Sequence, residues 1–368
     1  MRNQTAPYTT EDFGVNPLMF YYETTQSCDL VCKHCRASAQ ENAAPDELPT
    51  ELSLKLIDQV ATFPRKPTMV FTGGDPLKRS DLFTLIQRAV SNGISTALTP
   101  SATPLATFDA LEKANLAGIG ALGISLDGPN AEVHDAFRGF DGSFERTLEM
   151  LKNARELELP VQVNTSLTMR NYELIDEIAE LLATQGIMMW SVFFLVPVGR
   201  GIEEQRIAAE DYEKVFAKLW RHAQTKPFAV KTTEAPHYRR YVLEHGGNPL
   251  DGPKKPQHDA ATMHRGHSHR APLGITDGRG IMFVGHNGEI SPAGFLPIPC
   301  GRFPEVSVVD VYQNHPLFKN LQNPDMYHGI CGKCEYRSVC GGSRARAFAI
   351  TGDPLGAEPD CLLEKHTP

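Results

Sequence analysis

Three cysteines near the start of the chain have a spacing suited to metal chemistry. Cys28, Cys32 and Cys35 form a C-x3-C-x2-C pattern directly after a predicted strand. Three thiolates on one loop can bind three irons of a [4Fe–4S] cubane and leave the fourth iron open to a small chelating ligand. The alternative is a zinc site in which His34 or another residue supplies the fourth ligand. The spacing alone favours the cluster.

The other five cysteines all lie after residue 299. Such segregation is typical of metal or iron–sulfur ligation in a reducing compartment, and not of disulfides or scattered core cysteines. Four of them can complete a second [4Fe–4S] cluster or bind one zinc ion. These four are Cys331, Cys334, Cys340 and Cys361. Cys300 follows a proline-rich turn, and we expect it to be a small buried thiol outside the ligand set.

Composition limits the partners and the compartment. The 368 residues carry a formal net charge of -8, which argues against a nucleic-acid backbone as the main partner. A small molecule or a peptide fits better. Apolar runs fall short of the roughly 20 residues that a membrane span needs, and the N-terminus lacks a signal-peptide pattern, so we expect a cytoplasmic protein without a membrane partner.

Strand-like and helix-like segments alternate from residue 17 to about 200, which predicts a parallel sheet built from βα units. The predicted strands are Leu18–Thr24, Thr68–Thr72, Ile94–Thr99, Gly118–Leu126, Val161–Leu167 and Met188–Val196. The predicted helices are Glu51–Phe63, Arg79–Asn92, Thr107–Ala114, Ser143–Glu156 and Tyr172–Gln185. Six units are too few to close an eight-stranded barrel, so the sheet is either doubly wound or a partial barrel.

The polar loops gather where a parallel sheet places its chemistry, at the carboxyl ends of the strands. The first cysteines follow strand one, Gly73 to Pro76 follow strand two, Asp127 follows strand four, and Pro197 to Arg200 follow strand six. After residue 204 we expect helices at Ala209–Gln224 and Pro236–His245. A loop or linker then covers residues 246–271, and a hairpin turns at His286 to Gly288.

The first cysteine motif resembles the radical S-adenosylmethionine (SAM) superfamily, whose signature is C-x3-C-x-aromatic-C, with His34 at the aromatic position. The resemblance covers roughly residues 17–200. It implies an α/β fold, a partial (β/α)6 barrel with a small C-terminal Cys-rich auxiliary-cluster extension. It also implies that the cluster donates one electron to SAM, which releases methionine and a 5′-deoxyadenosyl radical that takes hydrogen from the substrate.

The resemblance assigns SAM contacts residue by residue. Gly73, Gly74 and Asp75, with Pro76, resemble the GGEP motif that binds the SAM amino group; Asp75 replaces the usual Glu, which shifts the expected contact toward the backbone. The remaining implied contacts are Ser125 and Asp127 for the ribose or methionine part, Asn164 as a further polar contact, and Val196 for adenine. Arg138 is a candidate for the SAM carboxylate, with a solvated surface arginine as the alternative.

The tail, over about residues 280–365, resembles the auxiliary-cluster extensions called SPASM and twitch. Arg344 and Ala293 stand where a full SPASM domain has cysteines, so the resemblance implies one auxiliary [4Fe–4S] cluster held by the four late cysteines. Zinc remains the alternative for that site. The predicted segments are an N-terminal extension (1–16), the barrel (17–204), a helical and His/Gly/Pro-rich connecting region (205–279) and the auxiliary domain (280–368).

The sequence over residues 232–240 and 340–347 most resembles the branch of this family that modifies tetrapyrrole side chains in heme and heme d1 biosynthesis. The implied reaction is oxidative decarboxylation of propionates, with an electron donor such as flavodoxin or ferredoxin. One alternative is a SPASM-type maturase of a ribosomally made peptide. An alternative of another class is a non-catalytic Fe–S or zinc-binding protein.

A propionate-bearing substrate needs fixed cations. The candidates are Arg239, Arg240, Arg344 and Arg346, each with an ordinary surface charge as its alternative. Four histidines crowd the predicted loop, where a solvated segment competes with a metal or heme-iron contact. They are His258, His264, His267 and His269. His237 is a weaker candidate for an axial ligand.

Overall fold

A computed structural model describes residues 8–253 and 272–365 of the chain. Its strands are β1 Met19–Glu23, β2 Thr68–Thr72, β3 Ser95–Leu98, β4 Ala121–Ser125, β5 Val161–Leu167, β6 Met189–Phe194, β7 Ala229–Thr233, β8 Ile281–Val284, β9 Glu289–Ser291 and β10 Gly301–Arg302. Its α-helices are α1 Thr50–Val60, α2 Leu82–Ser91, α3 Phe108–Ala117, α4 Ala131–Arg138, α5 Ser143–Glu156, α6 Ile175–Ala183, α7 Ala209–Thr225, α8 His237–Glu244, α9 Val308–Asn314, α10 Pro316–Gln322, α11 Gly329–Lys333 and α12 Arg344–Thr351.

The strands form one sheet in the order β10-β9-β8-β1-β2-β3-β4-β5-β6-β7. Strands β1 to β7 are parallel to their neighbours and follow each other in chain order. Strand β8 pairs in parallel with β1, and β9 and β10 continue as antiparallel strands. The predicted α/β partial barrel is therefore confirmed, and neighbouring strands extend it on both sides.

The two faces of the sheet differ in polarity. Along β5, Val161, Val163, Thr165 and Leu167 are buried, whereas the residues between them are half-buried and polar. The buried face packs against the helices in one large apolar core. The polar face lines the lumen of the partial barrel, where a substrate or cofactor can meet side chains from several strands.

The six strands and five helices predicted up to residue 200 all coincide with observed elements, with ends that differ by a few residues. Among the α-helices and strands up to α8, helix α4 and strand β7 were not predicted. Helix α4 has eight residues and buries His134 and Phe137 on one face, a pattern too short to stand out in the sequence. Strand β7 reads Ala-Val-Lys-Thr-Thr and is only half-buried, so it lacks the apolar run that marked the other strands.

The predicted hairpin is confirmed, and its strands are part of the barrel sheet. Gly288 adopts φ +86° in its turn, and a Cβ atom there would lie 2.3 Å from the Phe303 carbonyl oxygen. Only glycine fits such a position. Strands β7 and β8 lie outside the predicted barrel segment, residues 17–204, yet both pair with its strands. The sheet therefore extends beyond that segment. The segment boundaries themselves stay a prediction.

The C-terminal segment contacts both the end of β7 and the loop before β8. Ser343, the N-cap of α12, donates its hydroxyl to Glu234 Oε2 at 2.5 Å, just after β7. The Ala345 amide donates to Asp277 Oδ2 at 2.9 Å, just before β8. The start of α12 therefore links the two sides of the partial barrel. Within the described ranges, no helix has the length and apolar character needed to cross a membrane.

Candidate active site

The first cysteine loop leaves β1 and closes on itself. Ser27 and Gln40 form an isolated bridge, and the Cys28 amide donates to the Gln40 carbonyl at 2.7 Å. Inside this loop the three cysteines pack with Leu30 and Ala39 in a small apolar cluster. Cys28 and Cys32 are buried, and Cys35 is half-buried. The fold thus gathers the three predicted ligands on one loop at the carboxyl end of β1.

Each of the three cysteine sulfurs has an N–H group nearby, which suits a thiolate. The Leu30 amide lies 3.4 Å from Cys28 Sγ, and the Ala39 amide lies 3.4 Å from Cys35 Sγ. An Arg138 guanidinium nitrogen lies 3.7 Å from Cys32 Sγ. Burial raises the pKa of the Cys28 and Cys32 thiols, so cationic irons would be needed to hold them as thiolates.

The donor set fits a three-thiolate cubane. Among the residues of 8–253 and 272–365, no three His, Cys, Asp or Glu side chains converge as a group that could hold one metal ion. In a cubane each thiolate binds a different iron, so its ligands surround the cluster. The apolar walls and the N–H donors around the sulfurs match that environment.

Two glycines allow the loop after β2 to lie against the cysteine loop. A Cβ atom on Gly73 would lie 2.5 Å from the Thr25 carbonyl oxygen, and one on Gly74 would lie 2.5 Å from the Ser27 carbonyl oxygen. The Gly74 amide donates to Thr25 at 2.8 Å. Gly73 and Gly74 therefore allow the two loops to pack together. Their role in SAM binding stays a prediction.

The Asp75 carboxylate points into the protein. It is fully buried and accepts the Thr103 hydroxyl at 2.6 Å, the Leu77 amide at 3.2 Å and the Ser101 amide at 3.3 Å. Burial raises its pKa, although these donors oppose the shift. A direct contact of this side chain with SAM is not supported, since its oxygens already stabilise the loops after β2 and β3.

Ser101 was not predicted as a site residue, yet it connects three parts of the site. Its hydroxyl donates to the Gly74 carbonyl at 2.8 Å, and Cys28 Sγ lies 3.6 Å from Ser101 Oγ. The residue follows the third strand, whose loop carries no motif in the sequence. A Ser-Ala-Thr segment after a strand was the only available signal.

Asp127 and Arg138 form a buried ion pair beside the first cysteine loop, at 2.6 Å between Oδ2 and the guanidinium. Asp127 Oδ1 accepts the Ser166 amide at 2.6 Å. Burial raises the pKa of Asp127 while the Arg138 charge lowers it. The surface alternative for Arg138 is wrong, because its side chain is 11% exposed and also contacts Cys32.

Ser125 and Asn164 are partners in the register of β4 and β5, and both are half-buried on the lumen side. Asn164 Oδ1 accepts Gln162 Nε2 at 2.7 Å. Val196 is 2% exposed and packs with Ala293 and Leu296 of the C-terminal segment. Ser125 and Asn164 keep a position suited to a SAM contact, whereas the Val196 side chain lies in an apolar cluster.

Arg200, in the loop after β6, fixes the cysteine loop. Its Nε donates to the Cys32 carbonyl at 2.9 Å, a terminal nitrogen donates to the Ala39 carbonyl at 2.8 Å, and its amide donates to the Cys35 carbonyl at 3.0 Å. Gly199 makes this approach possible, since a Cβ there would lie 2.3 Å from the Arg36 carbonyl oxygen. The position of this loop at the site was predicted, whereas this role of Arg200 was not.

A cavity of about 300 Å³ opens beside the cysteine loop, between it, the loop after β6 and the β8–β9 hairpin. In its wall, Glu23 pairs with Arg36 at 2.7 Å and with His286 at 3.0 Å. The Arg36 guanidinium lies over the Phe283 ring, 4.6 Å from its centroid. An open cavity next to the cysteine loop gives a substrate access to the site.

Lys231, on β7, is a lumen cation that was not predicted from the sequence. Lys231 lies opposite Ser191 in the β6–β7 register, and Ser191 Oγ hydrogen-bonds to Thr233 Oγ1 at 3.1 Å on that face. The neighbouring Val230 packs on the helix-side core, so Lys231 faces the lumen. Water reaches its side chain, yet surrounding protein lowers its pKa to about 8, with a further contribution from the Arg239 charge.

The four late cysteines line a second cavity at the end of the molecule that carries α11. Backbone amides donate to three of the sulfurs: Glu358 to Cys331 at 3.3 Å, Tyr336 to Cys334 at 3.4 Å and Gly342 to Cys340 at 3.4 Å. Burial raises the pKa of Cys340 to about 12 and of Cys361 to about 11. This donor set fits an iron–sulfur cluster with four thiolates, as predicted for this segment.

Cys300 lies apart from this cavity. Its side chain is 7% exposed, and its thiol is 3.4 Å from the Ile298 carbonyl oxygen. Burial raises the pKa of this thiol to about 12. Its placement agrees with the prediction of a buried thiol outside the ligand set.

The four arginines predicted to bind substrate carboxylates make internal contacts instead. Arg239 donates to the Ile275 and Val339 carbonyls, and Arg240 pairs with Glu213 and Glu244. Arg344 and Arg346 are fully buried; Arg344 donates to the Gly356 carbonyl, and Arg346 pairs with Glu358 at 2.8 Å. His237 lies in the wall of the second cavity. The predicted loop histidines, His258 to His269, lie outside the described residues.

Proteins of known name resemble this chain over most of its length. The radical SAM superfamily model matches residues 22–184. A protein named AdoMet-dependent heme synthase, from Oleidesulfovibrio alaskensis, is 36% identical over 97% of this chain and 90% of its own length. A PqqA peptide cyclase from Bradyrhizobium diazoefficiens is 26% identical over 96% of this chain and 88% of its own length.

Solved structures share the fold. The crystal structure of Streptococcus suis SuiB superimposes with a TM-score of 0.69 at 16% identity, covering 94% of this chain and 77% of SuiB. At that identity the likeness concerns the fold alone. It shows that the barrel and the C-terminal segment together have the architecture of a solved protein.

Proposed function

This chain belongs to the radical SAM superfamily and is an enzyme of radical-based redox chemistry, and from that premise we propose that it modifies the propionate side chains of a tetrapyrrole. The observation that carries the proposal is the 36% identity, over 97% of the chain, to a protein named AdoMet-dependent heme synthase. Two cysteine sites and a lysine that faces the lumen are features that such a reaction can use.

Cys28, Cys32 and Cys35 would hold the SAM-cleaving [4Fe–4S] cluster. When bound, this cluster supplies the electron that cleaves SAM to methionine and a 5′-deoxyadenosyl radical. Arg200 and the Gly73–Gly74 turn fix the loop that presents these thiolates. Arg138 places a positive charge at Cys32 Sγ. The protein thereby orients the cofactor and shields it from water.

Oxidative decarboxylation of one propionate removes a hydrogen atom, one electron and CO₂, and it leaves a vinyl group. The hydrogen atom goes to the deoxyadenosyl radical. The electron needs an acceptor of the iron–sulfur class, which Cys331, Cys334, Cys340 and Cys361 would hold. A flavodoxin or ferredoxin is the proposed donor for SAM cleavage.

Lys231 is the proposed contact for a substrate carboxylate. Within the described parts of the chain, it forms neither an ion pair nor a hydrogen bond. A substrate carboxylate in the lumen would give this ammonium group a counter-charge. The four arginines first predicted for this role are engaged elsewhere, so the lumen lysine replaces them.

The test is an anaerobic reaction of the reconstituted full chain with SAM, a strong reductant and iron coproporphyrin III. Mass spectrometry follows 5′-deoxyadenosine and the porphyrin together. Stepwise loss of carboxyl groups in step with deoxyadenosine supports the proposal. Deoxyadenosine with an unchanged porphyrin overturns the substrate while the radical SAM chemistry stands.

A peptide maturase is the second candidate, favoured by the 26% identity to a PqqA peptide cyclase. It predicts that the porphyrin neither binds nor stimulates deoxyadenosine formation. An absorbance titration with iron coproporphyrin III separates the two candidates, since only the tetrapyrrole proposal expects a saturable spectral shift.

A further inference from the structure

A buried histidine lies in the wall of the auxiliary cavity. His237 opens α8 and lines the same cavity as the four late cysteines. Its side chain is 1% exposed, and neither Nδ1 nor Nε2 has a hydrogen-bond partner among the described residues. Buried polar atoms almost always have partners, so this pair of nitrogens requires an explanation.

Two aromatic side chains fix the plane of the ring. Tyr212 stacks on His237 with 5.1 Å between ring centroids and an interplanar angle of 29°. Phe216 meets it edge-on at 4.9 Å and 68°. Both rings also pack on Phe194 of the barrel core, so the imidazole cannot turn toward solvent to find a partner.

The imidazole carries at least one N–H donor in either protonation state. Burial lowers the pKa of His237 well below its usual range, and the charges of Arg346 and Arg240 lower it further. A neutral imidazole carries one N–H donor and one acceptor nitrogen. The ring therefore adds an N–H donor to the wall of this cavity, which Arg240 and Arg337 also line.

We propose that His237 donates a hydrogen bond to a sulfur of the auxiliary [4Fe–4S] cluster and raises its reduction potential. The inference rests on the proposed function, in which the four late cysteines hold that cluster. A donor aimed at a cluster sulfur stabilises the reduced form, because that form carries more negative charge. A higher potential makes the cluster a better acceptor for the substrate electron.

The test compares His237→Phe with the wild-type full chain, purified and reconstituted anaerobically. Phe keeps an aromatic ring between Tyr212 and Phe216 but removes the N–H. EPR-monitored redox titration should show a lower midpoint potential for the auxiliary cluster and an unchanged potential for the SAM-cleaving cluster. An unchanged auxiliary potential, with two clusters present, overturns the inference.

The matched control is His222→Phe. His222 is also buried and meets Trp190 at 6.3 Å, but its Nε2 is paired with Asp176 at 2.7 Å, away from the cavity. It should leave both midpoint potentials unchanged. A drop of the auxiliary potential in this variant as well would assign the shift to general loosening and overturn the role of His237.

Two further readouts separate this inference from the proposed function. Iron and sulfide content reports whether wild type binds two clusters; content for a single cluster overturns the auxiliary site itself. If two clusters bind, pulsed EPR of the reduced auxiliary cluster in wild type should show a weak nitrogen coupling that changes when histidine is labelled with ¹⁵N. Absence of that coupling overturns the hydrogen bond even if the variant loses its cluster.

Discussion

Single residues in this site have roles that their neighbours decide. Asp75 matches a SAM-binding motif, yet Thr103, Leu77 and Ser101 occupy its carboxylate. Lys231 matches no motif, yet its strand places it in the lumen. The roles predicted from motifs and the contacts seen in the structure therefore differ most for single residues.

Replacing Lys231 by Met should weaken binding of iron coproporphyrin III by about tenfold, equivalent to about 1.4 kcal/mol, because one carboxylate loses its counter-charge. The measurement is an absorbance titration of the reconstituted protein. Lys231→Arg should retain most of the affinity. Lys152→Met, on the outer surface of α5 with a side chain 65% exposed, is the control and should bind as wild type does. Equal affinities in all variants would remove Lys231 from the substrate site.

At the scale of elements, close loop contacts hold the cysteine motif in place. The loops after β2 and β6 both reach the cysteine loop through glycines, with Arg200 as the main side-chain link. The hairpin β8–β9 reaches the same region through His286. Each of these elements can be tested by one substitution.

Gly74→Ala should displace the cysteine loop, because the new methyl group would meet the Ser27 and Gln26 carbonyl oxygens at 2.5 and 2.7 Å. We expect roughly the destabilisation of an overpacked site, about 1 to 3 kcal/mol, with less iron bound after reconstitution. Thermal unfolding and iron content measure both effects. Gly14→Ala is the control, since nothing lies within 4 Å of its Cβ position. Full iron content in Gly74→Ala would contradict the close packing.

The contact between His286 and Glu23 should make stability depend on pH. Burial alone would lower the pKa of His286, but the hydrogen bond and charge of Glu23 raise it above the ordinary value. The stabilisation is therefore complete below a pH of about 6.5 and is lost as pH rises through the raised pKa. We expect the unfolding midpoint to fall by a few degrees, roughly, from pH 6 to 9.

His286→Gln should flatten that pH dependence in a thermal unfolding series. His328→Gln removes a histidine paired with Asp353 at 2.9 Å on the surface, with a side chain 61% exposed, and should keep the wild-type slope. If His286→Gln retains the full slope, the titrating group lies elsewhere in the chain.

At the scale of the whole molecule, the C-terminal segment links the two sides of the partial barrel. Arg346 is fully buried, pairs with Glu358 and donates to the Glu234 carbonyl at 2.5 Å. Its guanidinium also lies 5.3 Å from the Tyr212 ring centroid. The auxiliary segment and the barrel therefore share buried charges, and we expect them to unfold together.

Arg346→Met should destabilise the whole protein by about 3 to 5 kcal/mol, because Glu358 would be left buried without its cation. Denaturant unfolding, followed by barrel fluorescence and by cluster absorbance, should give one shifted transition. Arg88→Met is the control, since its pair with Asp58 is exposed and should change stability little. Two separate transitions in wild type would show that the segments fold independently.

The sequence alone determined the six barrel strands, seven helices and the family resemblance, and it predicted the cysteine ligands, because ligand spacing and hydrophobic periodicity are local properties. Only the tertiary structure decided which charges face the lumen, because that depends on strand register. Arg346 and Glu234 are 112 residues apart, and Lys231 is placed by its pairing with Ser191. Neither contact can be predicted from local sequence patterns. No such pattern identifies a half-buried strand or a cation whose partner is distant in the chain.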